Sequence, residues 1–274
     1  MQLTSDGPPA PRPTNDNRPA GSPNFGDDLL MGVRFYSRLP TGNTPHLRPN
    51  LNRMALTLPL TSVVIGIPPV AVLLILEWIG VPTFFAAVIA VATMVIVTGA
   101  MAEDALADAA DGLFGGPTIE QRLDIMKDSR HGTYGVCAIV LLLGARLVAV
   151  GSISSPLEAA AVLLTAPLIG RSGALWLSHV LPPARSGGAA ATAGQVSQGA
   201  FLLGLGVAAV VSFATAGFAV GVLGLVAAFG LGALVALGWS NLCRRLIGGQ
   251  TGDLIGAMQA LLEIAALTAF MVFV

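Results

Sequence analysis

A chain of 274 residues with 54% hydrophobic and only 11% charged side chains is too poor in charge for a soluble domain, where about a quarter of residues are charged. Its mean hydropathy of +0.77 and its continuous, non-alternating apolar runs point to an all-α integral membrane protein and exclude a barrel. The net charge of −1 gives no reason to expect nucleic acid, and Cys137 and Cys243 show neither metal-ligand spacing nor a disulfide framework.

Residues 1–24 hold six prolines and almost no apolar side chains, so they are expected to form a disordered tail. No apolar stretch follows a basic start, so this is not a signal peptide. Residues 25–274 are expected to form one polytopic membrane domain. Its opening segment mixes Leu29, Leu30, Val33 and Phe35 with Arg34 and Arg38, an amphipathic pattern expected at the membrane interface until Pro40 breaks it. Arg38 and Arg53 are candidates to reach a phosphate from there.

About seven spans follow in one bundle, near 55–78, 81–102, 133–153, 159–180, 199–217, 219–240 and 254–274. Each approaches the roughly 20 residues a bilayer requires. The fifth and sixth are rich in Gly and Ala, which permits close helix packing. Lys and Arg cluster before the first span, between spans two and three, and at Arg185, Arg244 and Arg245. The alternate connections carry none. The positive-inside rule then predicts a cytoplasmic N-terminus, with every polar loop on the cytoplasmic side. Arg146, Arg171 and Glu263 fall within spans, where a structural ion pair between Glu263 and one arginine is the favoured expectation.

A third of the charged side chains are packed between spans two and three, in Glu103–Gly135. Asp104, Asp108 and Asp111 stand at i, i+4 and i+7, so a helix places three carboxylates on one face. Stacked like charges repel unless a cation sits among them. Hard oxygen ligands suit Mg2+, which binds through few carboxylates plus substrate phosphates. The competing reading is a solvated acidic face. Small neighbours (Ala102, Ala105, Ala107, Ala109, Ala110) leave room for a ligand, and emergence from an apolar run favours function. Gly112, Gly115, Gly116 and Pro117 then break the helix, and Thr118-Ile119-Glu120-Gln121 has the spacing of a capping box, predicting a helix from about residue 119. Arg122, Lys127 and Arg130, with Asp124 and Asp128, would sit beside a bound metal and offset a charged phosphate, as phosphoryl transfer requires. The last loop, Gly248-Gly249-Gln250-Thr251-Gly252-Asp253, is a Gly-rich turn entering a helix. It is suited to an anion, with Asp253 facing a metal or a ribose hydroxyl. It lacks the Lys-Ser/Thr pair of a P-loop.

Four stretches together resemble the cobalamin-5'-phosphate synthase family, the adenosylcobinamide-GDP ribazoletransferases. They are RLP at 38–40, D-x-L-A-D-x-x-D-G at 104–112, R-L-D-I-M-K-D-S-R-H-G-T-Y-G at 122–135 and G-G-Q-T-G-D-L-I-G-A at 248–257. Arg171 with Ser172, and Ala184 with Arg185, fit the same pattern, and the resemblance runs from about residue 30 to the C-terminus. It implies a Mg2+-dependent enzyme of the bacterial cytoplasmic membrane that joins adenosylcobinamide-GDP to alpha-ribazole or its 5'-phosphate and releases GMP. The matching catalytic positions are Asp104, Asp108, Asp111, Lys127 and Asp128, the first three as metal ligands. Arg38, Arg53, Arg122, Arg130, Arg171, Arg185, Gln250, Thr251 and Asp253 are the substrate-binding candidates. The lipid bilayer is an expected partner, with further copies of the chain or other cobalamin-assembly enzymes beside it. One departure stands out: many members read His-Leu-Asp-Gly where this chain has Ala102-Glu103-Asp104-Ala105. Glu103 or one of the aspartates is then the candidate base.

Two other membrane transferase families place Asp clusters at helix ends. CDP-alcohol phosphotransferases require two later Asp at fixed spacing, and Arg122 falls where the first would stand. UbiA-like prenyltransferases want N-D-x-x-D-x-x-x-D, and Ala107 replaces the second Asp. A transporter would show repeats and polar mid-membrane breaks, and neither is evident.

Overall fold

The computed structural model describes residues 24–42, 49–128, 130–185 and 194–274. The expected tail therefore lies, but for Asn24, outside the described residues. Among them the regular elements are all helices, joined by short loops, with one isolated bridge between Pro183 and Gln250.

Helix α1 (Phe25–Tyr36) starts at a capping box, in which Asn24 accepts from the Asp27 amide and Asp27 accepts from the Asn24 amide. It carries the expected amphipathic segment. A single turn, α2 (Leu51–Met54), is tied to it by an ion pair between Arg53 and Asp28 at 2.6 Å. Then come α3 (Leu58–Trp78), α4 (Thr83–Thr98), α5 (Met101–Gly115), α6 (Ile119–Ile125), α7 (Thr133–Gly151), α8 (Pro156–Val180), α9 (Gln198–Leu246) and α10 (Gly252–Phe270). The two most enclosed helices are α8 and α10, and α3, α7 and α9 pack around them with their other faces open to lipid.

Two features depart from seven straight spans. The second expected span, 81–102, ends at Thr98, and α5 leaves it at 81°. The turn is made by Gly99 and Ala100, both left-handed (φ 64° and 56°). Glycine takes that conformation freely, whereas Ala100 is strained there. The other departure is α9, whose 49 residues would reach about 74 Å if straight, twice a bilayer. It breaks instead at Gly221 (φ 66°, ψ 178°). Phe201 and Leu205 from one arm line the same cavity as Ala233 and Leu237 from the other, so the arms run antiparallel. They match the two spans expected at 199–217 and 219–240, and the second arm continues to Leu246. Among the described residues, five helices are long and apolar enough to cross a membrane, or six with α4 and α5 taken as one span. Counting the arms of α9 separately brings the total to the expected seven.

Candidate active site

Helix α5 carries the aspartate face, and its bend turns that face toward α7 and α10. The three carboxylates are not equivalent. The Asp104 side chain is 66% exposed, Asp108 is mostly covered, and Asp111 is buried at 7%. His131, just before α7, stands between the first two, with Nε2 3.9 Å from Asp104 and Nδ1 3.7 Å from Asp108. Asp108 feels Asp104, Asp253 and Asp111 as like charges, and His131 opposes them. Asp111 turns inward. Its two oxygens accept the Gly132 amide at 2.6 Å and the Gly135 amide at 2.9 Å. Both amides belong to the uncapped start of α7, where orphan N–H groups and the helix dipole favour a carboxylate. A Cβ at Gly135 would stand 2.3 Å from Asp111 Oδ2, so only glycine allows the approach.

A cavity of about 210 Å³ opens beside this face, between α1, α5 and α10. Asp104 lies on one wall and Asp253, from the first turn of α10, on the other, with Phe35, Tyr36, Leu51 and Gln259 between them. Thr251 caps α10 by accepting the Leu254 amide at 3.2 Å and so fixes the turn that presents Asp253. A larger cavity, about 360 Å³ between α8 and the arms of α9, has a wholly uncharged lining that includes Trp176 and Phe201, and lies away from the aspartates.

The remaining candidates spread over three settings. Lys127, Asp128 and Arg130 lie on the exposed loop after α6. Arg130 Nε and Nη2 grip Asp128 at 3.0 and 2.6 Å and hold its carboxyl down at about 2, while Lys127 reaches Asp124 at 3.4 Å. Arg122 and Arg185 staple helix ends. Arg122 Nη1 donates to the Leu246 carbonyl at 2.9 Å, and Arg185 Nη2 donates to that of Leu123. Gln250 is buried at the bridge, its backbone paired with Pro182 and Ala184 and both side-chain polar atoms without a partner among the described residues. Arg53 is held by Asp28 on α1. Arg38 lies over Gly99 at the α4–α5 bend, and its amide donates to Val97 O at 2.7 Å.

Beneath the cavity is a buried ionic cluster. Arg146 of α7 grips Glu263 of α10 with Nε at 2.6 Å and Nη2 at 2.8 Å, and its Nη1 donates to Glu103 of α5. The expected ion pair of Glu263 thus forms with Arg146. Glu103, expected as a substitute base, is 5% exposed and committed to that arginine. Its place in the core corrects that expectation: a carboxylate neutralised by a buried guanidinium cannot sit in the cavity taking protons.

Sequence reasoning passed over His131 as a site residue although it stands in R-H-G-T-Y-G, directly before the glycine that Asp111 holds. Tyr36 and Gln259 gave no signal, being one aromatic and one amide within apolar runs.

The family model described as cobalamin-5-phosphate synthase matches residues 28–271. The chain belongs to the cobalamin-5-phosphate synthase family. Curated relatives named adenosylcobinamide-GDP ribazoletransferase agree: one from Azorhizobium caulinodans is 39% identical over 252 residues, covering 90% of this chain and 96% of its own. Others, from a Sinorhizobium species and Rhizobium meliloti, are 40% and 39% identical, covering 89% of this chain and 96% and 95% of theirs. No solved structure matches. The chain is therefore a multi-pass membrane transferase of cobalamin biosynthesis.

Among the described residues no three His, Cys, Asp or Glu side chains are gathered closely enough to hold a metal by themselves. A Mg2+ ion at this face would therefore have to be shared with the substrate. This ion keeps several waters and needs only one or two carboxylates where phosphate oxygens complete its shell. Asp104 and Asp108, each within 4 Å of His131, are the carboxylates that would contribute to its shell.

Proposed function

We propose that the chain transfers the cobinamide phosphate of adenosylcobinamide-GDP to alpha-ribazole or alpha-ribazole 5'-phosphate, giving adenosylcobalamin or its 5'-phosphate and GMP. The observation that carries this reading is the acidic cavity faced by Asp104 and Asp253, in a chain that belongs to this family along nearly its whole length. A ribazole hydroxyl attacks the phosphorus next to cobinamide, the bond from that phosphorus to the GMP oxygen breaks, and the hydroxyl proton passes to a carboxylate of the α5 face. Asp104 and Asp108 would hold the ion, Asp253 would face it or a ribose hydroxyl from the opposite wall, and Asp111 braces α5 against α7. Bound Mg2+ would neutralise charge building on the diphosphate as the leaving group departs. Lys127, Arg130 and Arg185 supply the surrounding positive field. The family's usual His is absent at Ala102 and Glu103 is occupied, so the base is an aspartate of this cavity.

The site faces the cytoplasm of a bacterial cytoplasmic membrane, with the N-terminus on the same side. The support is the distribution of Lys and Arg: Arg122, Lys127, Arg130, Arg185, Arg244 and Arg245 all flank helix ends on the side of the aspartates. The test is direct. Purified protein is given adenosylcobinamide-GDP, alpha-ribazole and Mg2+ and followed for the corrinoid product and GMP. Stoichiometric release of both is expected, and absence of GMP with intact protein overturns the reading.

A further inference from the structure

The cavity between α1, α5 and α10 has two chemically different ends. Its mouth is acidic, with the Asp104 side chain 66% exposed and Asp253 on the facing wall. Its inner end holds Tyr36 and Gln259, each only 7% exposed. Neither side chain makes a hydrogen bond among the described residues, and their polar atoms open on the cavity rather than being sealed in the core. A buried phenol and a buried amide normally find partners, because leaving such groups unpaired is costly. Burial pushes the Tyr36 phenol up to about 12, so it keeps its proton and can donate. Among the described residues no Lys or Arg lines this cavity, and Arg171 of α8, 3% exposed, lies in the packed core outside the lining. The inner end therefore suits a neutral polar group and not a phosphate.

Size and spacing narrow the choice. Asp253 and Gln259 stand six residues apart on α10, about 9 Å along its axis, which leaves room for a ribose between a ring at one and a phosphate at the other. Leu51, Ile255 and Phe35, whose ring meets that of Tyr36 edge-on at 4.8 Å, give the inner end apolar walls suited to a flat ring. A cavity of about 210 Å³ takes a purine but not a corrin macrocycle. The Gln259 amide offers an acceptor and two donors, and Tyr36 adds a hydroxyl. Guanine answers that set with the O6 acceptor and N–H donors of one edge. The benzimidazole of alpha-ribazole offers a single ring-nitrogen acceptor and would leave the rest unpaired. We infer that Tyr36 and Gln259 bind the guanine base of the nucleoside-diphosphate substrate and set its preference over adenine, with the phosphates reaching back to the acidic mouth. The inference rests on the transfer reading above for the nucleotide and adds the residues that select it.

The test reads the thermal shift of the full-length protein in detergent with Mg2+ and either GMP or AMP, which differ at this edge, and it needs no turnover. GMP should stabilise the wild type and AMP much less. Gln259→Leu removes unpaired polar atoms from a buried wall, so without nucleotide it should melt at or above the wild type. Its Kd for GMP should rise roughly 10- to 100-fold toward that for AMP, leaving the latter unchanged. Tyr36→Phe keeps the ring, loses the hydroxyl and should weaken GMP about 10-fold. Equal shifts with GMP and AMP in the wild type, or none with either, would overturn the inference. So would a lowered Tm in Gln259→Leu with its GMP preference kept, which would make the glutamine a structural residue. Loss of stabilisation by alpha-ribazole but not by GMP in either variant would give the inner end to the acceptor and overturn it too. Transfer observed with GMP binding insensitive to both variants refutes this inference alone. Discrimination between GMP and AMP that both variants abolish, without transfer, refutes the reaction and supports the subsite.

Discussion

Asp111→Asn and Asp104→Asn separate what a shared helical face leaves together. Asp111 accepts two backbone N–H groups at 2.6 and 2.9 Å from the first turn of α7. Asparagine offers one carbonyl oxygen, so one bond survives in neutral form and the other amide faces an NH2. Bonds to a charged acceptor contribute about 1.5–3 kcal/mol and a buried orphan donor costs about 1–3 kcal/mol. Lost interaction with the α7 dipole adds about 0.3–1 kcal/mol. A total near 2–5 kcal/mol, at about 2–4 °C per kcal/mol for a chain of this size, predicts a fall in Tm of about 5–15 °C. Asp104, 66% exposed and 3.9 Å from His131 Nε2, has no such bonds to lose. Its Asn variant should melt within about 2 °C of wild type, surface changes being usually within about 0.5 kcal/mol. Thermal shift in detergent, paired with GMP release against Mg2+ concentration, gives both readouts. Gly135→Ala supplies the cross-check: its Cβ 2.3 Å from Asp111 Oδ2 should reproduce the loss of stability without touching a carboxylate. A wild-type Tm in Asp111→Asn would refute the brace and return Asp111 to the same standing as its neighbours.

The same titration should show kcat lowered about 10²–10³-fold and the Mg2+ requirement raised in Asp104→Asn and Asp108→Asn, by analogy with the loss of one transition-state contact. Unchanged Mg2+ dependence in both would leave them a solvated face. Leu106→Ala, in the core on the other side of α5, should cost about 2–5 kcal/mol of stability and leave the Mg2+ requirement alone. Glu263→Gln removes the carboxylate charge, leaves one donor of a buried guanidinium facing an NH2, and should lower stability by about 3–5 kcal/mol, a wild-type Tm being the result against it. A reporter at Ser154 should read as periplasmic and one at Pro117 as cytoplasmic, and the reverse pair would invert the proposed orientation.

Helix count, the broken hairpin of α9 and the start of α6 were legible because each has a local cause. Apolar length gives a span, the connection expected at Gly217–Phe218 lies within four residues of the break at Gly221, and Thr118 caps α6 by accepting the Gln121 amide at 3.3 Å. The spacing of Asp104, Asp108 and Asp111 was equally plain. Their unequal burial was not, because it depends on partners 21 and 24 residues away, Gly132 and Gly135, that a helical wheel cannot show. Arg122 and Arg185 read as phosphate ligands because a basic residue near an acidic cluster suggests one. The carbonyls they staple, at Leu246 and Leu123, belong to helix ends that only the tertiary fold brings within reach.

The bend between α4 and α5 left the least trace, yet it positions the site. Hydropathy runs on unbroken from Val81 to Ala102, so periodicity favours one straight span. What stops it is the chemistry of two residues, Gly99 and Ala100, in the left-handed region, with Arg38 laid over Gly99 and its amide on Val97 O. A straight continuation would carry Asp104 along the axis of α4, away from α10. The 81° turn instead lays α5 across α10, so closely that a Cβ at Gly256 would stand 2.4 Å from Ala105 Cβ. Asp104 and Asp253, 149 positions apart in the chain, thereby come to face one cavity. The strain held at Ala100 is offset by that packing, which explains why a non-glycine residue persists at the hinge of the acidic helix.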